Sequence, residues 1–582
     1  MCGIIGYVGK RNVENVLIEG LKSLEYRGYD SAGMALKNKD IQIIKSVGKI
    51  SCLEEKIKSS NIIKANMGIA HTRWATHGVV NEENAHPHTS GKVTIVHNGI
   101  IENASLLREK LILEGFKFKS ETDTEVMAAL INKYYTGDAL LAIDCAVKEV
   151  IGSYALGIIF DDKDEIYAIR KDSPLIVGVS KDEYFIASDM IPIIKYTNKY
   201  MLLDEGEIAV LSSGGVDVYL DKKKQRKEVL DATLEVNDNC KCGYKHYMLK
   251  EINEEPVVLE NLINNFFLSL DKIPNLNNYE EIHIVACGSA MYAGMIGKSL
   301  IEENTNIRVL CEVASEYRYR KVLYDRKTLV ILISQSGETA DTIAAMRKAK
   351  ENKVETLAIV NVVGSTIARE SDMQIYINAG VEVAVATTKA YILQVAVMSL
   401  LSVFASDKLS EVRNDLKKLP RYLKEVIDRR DNYKKVAKKI FNNEDIFFIG
   451  RKIDYAIALE GSLKLKEISY IHSEAYQAGE LKHGTISLIE DGIPVFAIIT
   501  DNSIKDKTLS NLEEVKSRGA KTVVISNENI DNYECIVVPK VSEYFQSILV
   551  VCVLQLISYE VAKMRGCDID KPKNLAKSVT VE

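Results

Sequence analysis

Leu329-Val-Ile-Leu-Ile-Ser-Gln-Ser-Gly-Glu-Thr339 sets five apolar residues in a row ahead of a Ser, a Gln, a second Ser and a Gly. A run so short and so apolar, followed by a helical stretch through Lys350 and a second apolar run at Thr356–Asn361, reads as strand, crossover helix and parallel strand. The unit recurs about 165 residues later as Ile493–Thr500, a helix through Arg518, and Thr522–Asn527. Upstream in each copy a strand ends at a glycine: His283-Ile-Val-Ala-Cys-Gly288 and Ile446-Phe-Phe-Ile-Gly450. Two tandem doubly wound α/β/α domains with parallel sheets are expected over this part of the chain.

The first 220 residues have a different texture. Ile4–Val8, Ile41–Val47, Val93–His97, Tyr154–Phe160, Glu165–Arg170, Tyr184–Ala187 and Glu207–Ser212 are strand-like runs with hairpin-length gaps, which predict antiparallel sheets under helical covers. Val13, Val16, Leu17, Gly20, Leu21 and Leu24 recur at helical spacing and predict an amphipathic helix over Asn12–Glu25. Asp221-Lys-Lys-Lys-Gln-Arg-Lys227 is a charge run that reads as a solvated turn or linker. The expected organisation is a first domain over 2–220, a linker over 221–245, α/β domains over 246–410 and 411–567, and a tail over 568–582.

Composition narrows the class. The 582 residues are 47% hydrophobic and 27% charged, the balance of a globular protein rather than of a disordered chain or a disulfide scaffold. The formal charge is −6, and no basic block or basic-aromatic stripe points to nucleic acid or an anionic membrane. The most apolar stretches, Ala390–Ala405 and Ile548–Ile557, are interrupted by Gln or Ser, fall short of the ~20 residues that span a bilayer, and read as buried helices. No export signal is read at the N-terminus, so a cytoplasmic protein with ten unpaired thiols is expected. Cys240-Lys-Cys242 is the only close cysteine pair, with no second half at zinc-like spacing.

Cys2 stands where removal of the initiator Met would expose it. Its thiol would then share a residue with an α-amine of pKa about 7.7–8.0, a nucleophile with its own general base. Five of the nine histidines fall at 71, 77, 86, 88 and 97, and the only Trp is Trp74. His71-Thr-Arg-Trp-Ala-Thr-His-Gly78 and Val96-His-Asn-Gly-Ile-Ile101 pack His, Arg, Asn and Gly into loop-like positions after strands, where recognition groups belong. His86-Pro-His88 could begin a metal site, but no acidic or Cys partner stands at ligand spacing.

Cys2-Gly-Ile-Ile-Gly, Leu24-Glu-Tyr-Arg-Gly-Tyr-Asp-Ser-Ala-Gly33, the Arg73 segment, Asn98-Gly99 and Ser120-Glu-Thr-Asp-Thr-Glu125 resemble the N-terminal-nucleophile glutamine amidotransferases. The resemblance implies an αββα sandwich in which Cys2 attacks the glutamine amide and Asn98 and Gly99 form the oxyanion hole. It also implies that Arg73, Trp74, Thr76, His77 and Asp123 line the glutamine pocket, with Arg73 on the carboxylate and Asp123 on the ammonium. The chemistry is coherent, since a tetrahedral oxyanion needs fixed donors and Arg suits a carboxylate. Thr122-x-x-Glu125 also matches a helix capping box, which is the bland reading of an acid at 123.

The acceptor of the ammonia must be read from the rest of the chain. Ser213-Gly-Gly-Val-Asp217 is similar to a pyrophosphate loop but lacks the final Ser and lies between two alternating runs, so a hairpin turn fits better. In Ser334-Gln-Ser-Gly-Glu-Thr339, hydroxyls and N–H groups converge at a helix N-terminus without a P-loop Lys, which suits a phosphomonoester; by spacing alone a polar helix cap fits as well. This loop resembles the sugar-isomerase domain. Glu460, Lys464 and Glu467 fall at i, i+4 and i+7 on one helix face, usually a surface pair, and Gly479-Glu-Leu-Lys-His-Gly484 adds a His–Gly turn. Asp570–Glu582 reads blandly as a frayed basic end.

Taken in order, these segments resemble the family of isomerising glutamine–fructose-6-phosphate aminotransferases, or glucosamine-6-phosphate synthases. That resemblance implies that Ser334, Gln335, Ser336 and Thr339 hold the phosphate, and that Ser289, Val385, Thr387 and Ala576 line the sugar. It implies that His483 opens the ring from a neighbouring subunit of a homodimer and that Lys577 forms an imine. Glu467 would move the proton between carbons 1 and 2 with help from Lys464, and Trp74 would gate an ammonia tunnel. The implied substrates are glutamine and fructose 6-phosphate, with no cofactor and no metal. Two positions depart from the family pattern: Ala290 follows Ser289 where a hydroxyl is usual, and Thr387 replaces a common Ser. The competing readings are a phosphosugar isomerase or deglycase with a vestigial glutaminase domain, and a non-catalytic phosphosugar sensor.

Overall fold

Every residue of strand Gly3–Val8 is buried because the strand is covered on both faces. Ile5 and Tyr7 enter a core with the helices Val13–Leu24 and Ile50–Lys58. Ile4 and Val8, on the opposite side of the pleat, enter a second core with Val96, Ala155 and Ile159. The computed structural model describes residues 2–75, 78–232 and 240–580. By packing the chain forms two units, Met1–Asp238 with Ala576–Glu582, and Asn239–Leu575.

The first unit has two antiparallel sheets. One runs Leu230–Asp231, Lys199–Leu202, Ile176–Val179, Tyr184–Ala187, Gly3–Val8, Met67–Arg73, Ser31–Lys37, Ile41–Val47. The other runs Lys223–Gln225, Gly215–Leu220, Ile208–Ser212, Ile166–Lys171, Gly152–Phe160, Val93–Ile101, His88–Ser90. Helices Ala104–Leu113, Asp123–Tyr134 and Ala139–Glu149 cover the outer face of the second sheet. Three cores therefore separate four layers, helix–sheet–sheet–helix, which is the expected αββα sandwich.

The second unit holds two five-stranded parallel sheets of the same strand order. They run Arg308–Val313, Glu281–Ala286, Thr328–Ser334, Glu355–Val360, Met373–Tyr376, and His472–Gln477, Asp445–Gly450, Pro494–Ile499, Lys521–Ser526, Glu534–Val537. In each, the first and third strands in chain order lie side by side, so the topology reverses between them. Open α/β sheets bind ligands at this switch point, beyond the carboxyl ends of the strands. Here those ends are Ala286 and Ser334 in the first copy. Helices Lys389–Ala405, Ile453–Ser469 and Glu543–Met564 contribute to one core that spans both copies.

Two readings change and two hold. The charge run Asp221–Lys227 is not a linker but a hairpin: Lys223–Gln225 pairs with Gly215–Leu220, and the lysines project into solvent from an edge strand. Cys240 and Cys242 are joined as a disulfide rather than unpaired, because the positive φ of 46° at Cys242 folds the segment back and leaves the Cα atoms 5.3 Å apart. The second apolar stretch lies in a helix of 22 residues, long and apolar enough to cross a membrane, but its apolar window is wholly buried within the unit. Ser213-Gly214 is the turn of a hairpin, as expected, with Ser212 opposite Gly215.

Candidate active sites

Antiparallel pairing of Gly3 with Thr72 brings Cys2 to the end of strand Met67–Arg73. The backbone N–H of Trp74 donates to Cys2 Sγ at 3.4 Å, and Sγ lies 3.5 Å from the Trp74 carbonyl. Burial pushes the thiol pKa up, while the Trp74 N–H and the nearby Arg73 guanidinium pull it back toward the thiolate. Arg73 is buried and donates to the carbonyls of Gly78 (3.2 Å) and Val79 (3.5 Å). The Asp30 carboxylate accepts from Ala75 N–H at 2.8 Å and so anchors the segment after Trp74.

Asn98 and Gly99 lie in the second half of strand Val93–Ile101. The Asn98 side-chain NH2 donates to the Cys2 carbonyl at 3.1 Å. Gly99 has φ +140°, and a Cβ there would fall 2.1 Å from the Ser153 carbonyl, so only glycine lets the strand turn its N–H at this point. Asp123 opens helix Asp123–Tyr134, and its Oδ2 accepts from Ile101 N–H at 3.0 Å. The capping is done by its neighbours. Thr122 accepts from Glu125 N–H, while the Glu125 carboxylate reaches back beyond the expected box to the N–H groups of Lys119 and Ser120. The cap and the buried acid are thus separate features. Cys2, Arg73, Trp74, Asn98, Gly99 and Asp123 lie in one unit; Thr76 and His77 lie outside the described residues. His86 and His88 are engaged with hydroxyls, Nε2 to Thr124 at 3.2 Å and Nε2 to Thr122 at 3.1 Å.

In the second unit the strand Thr328–Ser334 feeds the loop that ends at helix Ala340–Glu351. Ser334 Oγ accepts from Gly337 N–H at 3.0 Å and lies 2.9 Å from Thr339 Oγ1, so the two hydroxyls stand together. Thr339 occupies the N-cap position yet makes no side-chain capping bond. Thr339 therefore does not cap this helix, while Ser336 Oγ accepts from Glu338 N–H at 3.2 Å in the loop before it. Gly337 has φ +65° with Ser365 Oγ 2.0 Å from where a Cβ would be, which locks the loop against the next strand's loop.

Lys464 is fully buried, with Nζ 2.5 Å from Glu467 Oε2 and 3.6 Å from Glu460 Oε1. This is no surface pair. Burial disfavours its ammonium, but Glu460 and Glu467 outweigh that and lift it to about 12. Burial, with Glu467 adding to it, raises Glu460 to about 7 against the pull of Lys464. Ser289, at the start of helix Ser289–Asn304, lies beside Glu460. Glu382 extends the cluster: it accepts from Thr387 Oγ1 (2.9 Å), Thr388 N–H (2.9 Å) and Ala390 N–H (3.0 Å), and its charge reaches Lys464. Thr387 thus spends its hydroxyl on Glu382. The sequence reading missed Glu382 and left Glu460 without a role; the i, i+4 spacing to Lys464 was the available signal for the latter.

Three predicted residues stand apart. His483 is exposed at the end of the short helical turn Leu481–His483, with no side-chain hydrogen bond among the described residues. Ala576 and Lys577 group with the first unit, so no single unit brings Lys577 together with Glu467. In the second copy the corresponding strand end is closed internally. Asp454 is buried, accepts from Thr500 N–H at 2.8 Å and from its hydroxyl, and is raised to about 6 by burial.

The chain is similar to known proteins throughout. A glutamine amidotransferase domain model matches residues 71–195, and a SIS domain model matches residues 275–403 and 439–565. The glutamine–fructose-6-phosphate aminotransferase (isomerizing) of Clostridium tetani is 47% identical over 610 residues, with 100% of each chain covered. That of Thermus thermophilus is 43% identical over 607 residues, again with full coverage of both. Among solved structures, the C-terminal domain of glucosamine-fructose-6-phosphate aminotransferase from Francisella tularensis matches with TM-score 0.54 and 36% identity. It covers 57% of this chain and 99% of its own.

Proposed function

Because the chain belongs to the family of isomerizing glutamine–fructose-6-phosphate aminotransferases, we propose the following division of labour for its reaction. The enzyme takes an amide nitrogen from glutamine, transfers it to fructose 6-phosphate, and isomerises the product to glucosamine 6-phosphate, leaving glutamate. In our reading Cys2, exposed as the N-terminal residue, attacks the glutamine amide while its α-amine takes the thiol proton. The Asn98 NH2 and Gly99 N–H receive the oxyanion, Arg73 the substrate carboxylate and Asp123 its ammonium. Thr76 and His77 complete that pocket, and Trp74 gates the passage of ammonia.

In the sugar half, Ser334, Gln335, Ser336 and Thr339 hold the phosphate against the helix end, and Ser289, Val385, Thr387 and Ala576 line the sugar. A ketose must be linear before an amine attacks it, so His483 of a neighbouring subunit in a homodimer opens the ring as acid and base. Lys577 condenses with the ketone and loses water, ammonia then displaces the lysine, and Glu467 carries one proton from carbon 1 to carbon 2. Lys464 holds Glu467 in place through their ion pair. No step calls for a metal or cofactor, and the chemistry suits a cytoplasmic enzyme. The observation that carries this assignment is the Glu460–Lys464–Glu467 cluster beside Ser289, with Glu460 and Lys464 fully buried and Glu467 partly so. A phosphosugar sensor has no use for ionisable groups held out of water, which are costly to bury. The test is direct: purified protein given only fructose 6-phosphate and glutamine, with chelator and without ATP, should form glucosamine 6-phosphate and glutamate in equal amounts. Glucose 6-phosphate alone would favour an isomerase with a vestigial glutaminase domain.

A further inference from the structure

His71 lies on strand Met67–Arg73 of the first sheet, fully buried, and reaches across the inter-sheet space to strand Val93–Ile101 of the second. Its Nε2 is 2.9 Å from the His97 carbonyl oxygen and 3.1 Å from Asn98 Oδ1. A carbonyl can only accept, so Nε2 carries the hydrogen. The atom of Asn98 that faces it must then also be an acceptor, which is the amide oxygen, and the NH2 is turned the other way, toward Cys2. The ring's other nitrogen, Nδ1, is buried without a partner and carries no hydrogen. Burial holds the ring neutral, with a pKa lowered to about 3, so this tautomer persists throughout the neutral range. The ring is also fixed in plane by stacking on His86, with centroids 4.0 Å apart.

We propose that His71 is a positioning residue for glutamine hydrolysis: its single N–H clamps the peptide before Asn98 and the Asn98 side-chain oxygen together, and thereby aims the amide NH2 at the developing oxyanion. The proposal rests on the oxyanion-hole reading of Asn98 given above. Preorganised donors contribute because they need no reorientation when charge develops. Without the clamp, Asn98 Oδ1 becomes a buried acceptor lacking its donor, and the side chain can turn to seek another.

His71→Phe keeps the ring and its stacking surface and removes the N–H. Loss of a whole oxyanion donor typically lowers kcat by about 10²–10³-fold. His71→Phe should therefore lower kcat for glutamine hydrolysis by about 10²-fold with KM within threefold. His71→Gln, which restores an N–H, should stay within tenfold of the parent, and Asn98→Ala added to His71→Phe should cost little more than Asn98→Ala alone. Alkylation of Cys2 by iodoacetamide needs the thiolate but no oxyanion hole, so its rate should be unchanged in His71→Phe. A kcat within threefold of the parent, a loss confined to KM, or alkylation slowed in step with turnover would each overturn the proposal. If Phe does not fold, His71→Met, of similar bulk and without the donor, reads the same contrast with Gln. Parent protein that fails to hydrolyse glutamine would instead refute the functional reading on which this one stands.

Discussion

Replacing Glu460 with Gln should raise stability, and only at neutral to alkaline pH. Glu460 is fully buried on helix Ile453–Ser469 and its pKa stands at about 7 against an ordinary 4.5. The unfolded chain therefore releases this proton near pH 4.5, whereas the folded chain keeps it to about pH 7. Between those values the folded state binds more protons, so stability falls as pH rises, and the loss is complete above about 7. At about 1.4 kcal/mol per pKa unit the full penalty is about 3 kcal/mol. Gln is isosteric with the protonated acid and removes it. With an unfolding entropy of about 2.1 cal/mol/K per residue, the unit Asn239–Leu575 should gain about 4 °C in Tm at pH 8, and about 1 °C or less at pH 5. Differential scanning calorimetry at the two pH values reads the difference. An equal shift at both, or a loss at pH 8, would show that Lys464 holds Glu460 as a carboxylate and that the buried-acid reasoning is wrong.

The two chemistries should separate cleanly by mutation. Cys2→Ala should abolish glutamine hydrolysis and glutamine-dependent synthesis but spare slow conversion of fructose 6-phosphate to glucose 6-phosphate, measured by coupled dehydrogenase assay. Glu467→Gln should do the reverse, with isomerisation and amino-sugar formation falling about 10²–10⁴-fold while glutamine hydrolysis continues. Ser336→Asp should place a fixed negative charge in the phosphate loop and raise KM for fructose 6-phosphate sharply, with sugar-independent glutamine hydrolysis unchanged; an unaltered KM would remove the loop from the phosphate site.

The parallel half of the fold was legible because its strands are buried on both faces and so appear as unbroken apolar runs, such as Thr328–Ser334, each followed by a helix. The antiparallel half was harder. Gly3–Val8 and Gly152–Phe160 read as strands from their β-branched and aromatic residues, but Met67–Arg73, the strand that carries His71 and Arg73, escaped notice. All seven of its residues are buried, and His, Thr and Arg among them break any apolar run. Its polar side chains are inside because each finds a hydrogen-bond partner there, His71 at Asn98, Thr72 at the Gly28 carbonyl and Arg73 at the Gly78 carbonyl. Lys223–Gln225 was missed for the opposite reason, since an edge strand needs no apolar face.

The site was legible where one short segment carries the chemistry and obscure where the surroundings decide. Spacing alone put Glu460, Lys464 and Glu467 on one face of a helix but could not say which way that face looks. Amphipathic reasoning turns charges outward. Helix Ile453–Ser469 inverts the rule, burying Asp454, Glu460, Ser462, Lys464 and Ser469 together with its Ala and Ile residues, because it packs between a sheet and other helices on several sides. The same helix makes the two copies differ at the strand end. In the first copy the switch point meets Ser289 and the uncapped helix end after Ser334; in the second, Asp454 already supplies a carboxylate to the N–H and hydroxyl of Thr500. An internal carboxylate at that position repels a phosphate dianion and occupies the donors it would need. The two repeats therefore differ at the same strand end, a difference that neither motif reveals when read alone.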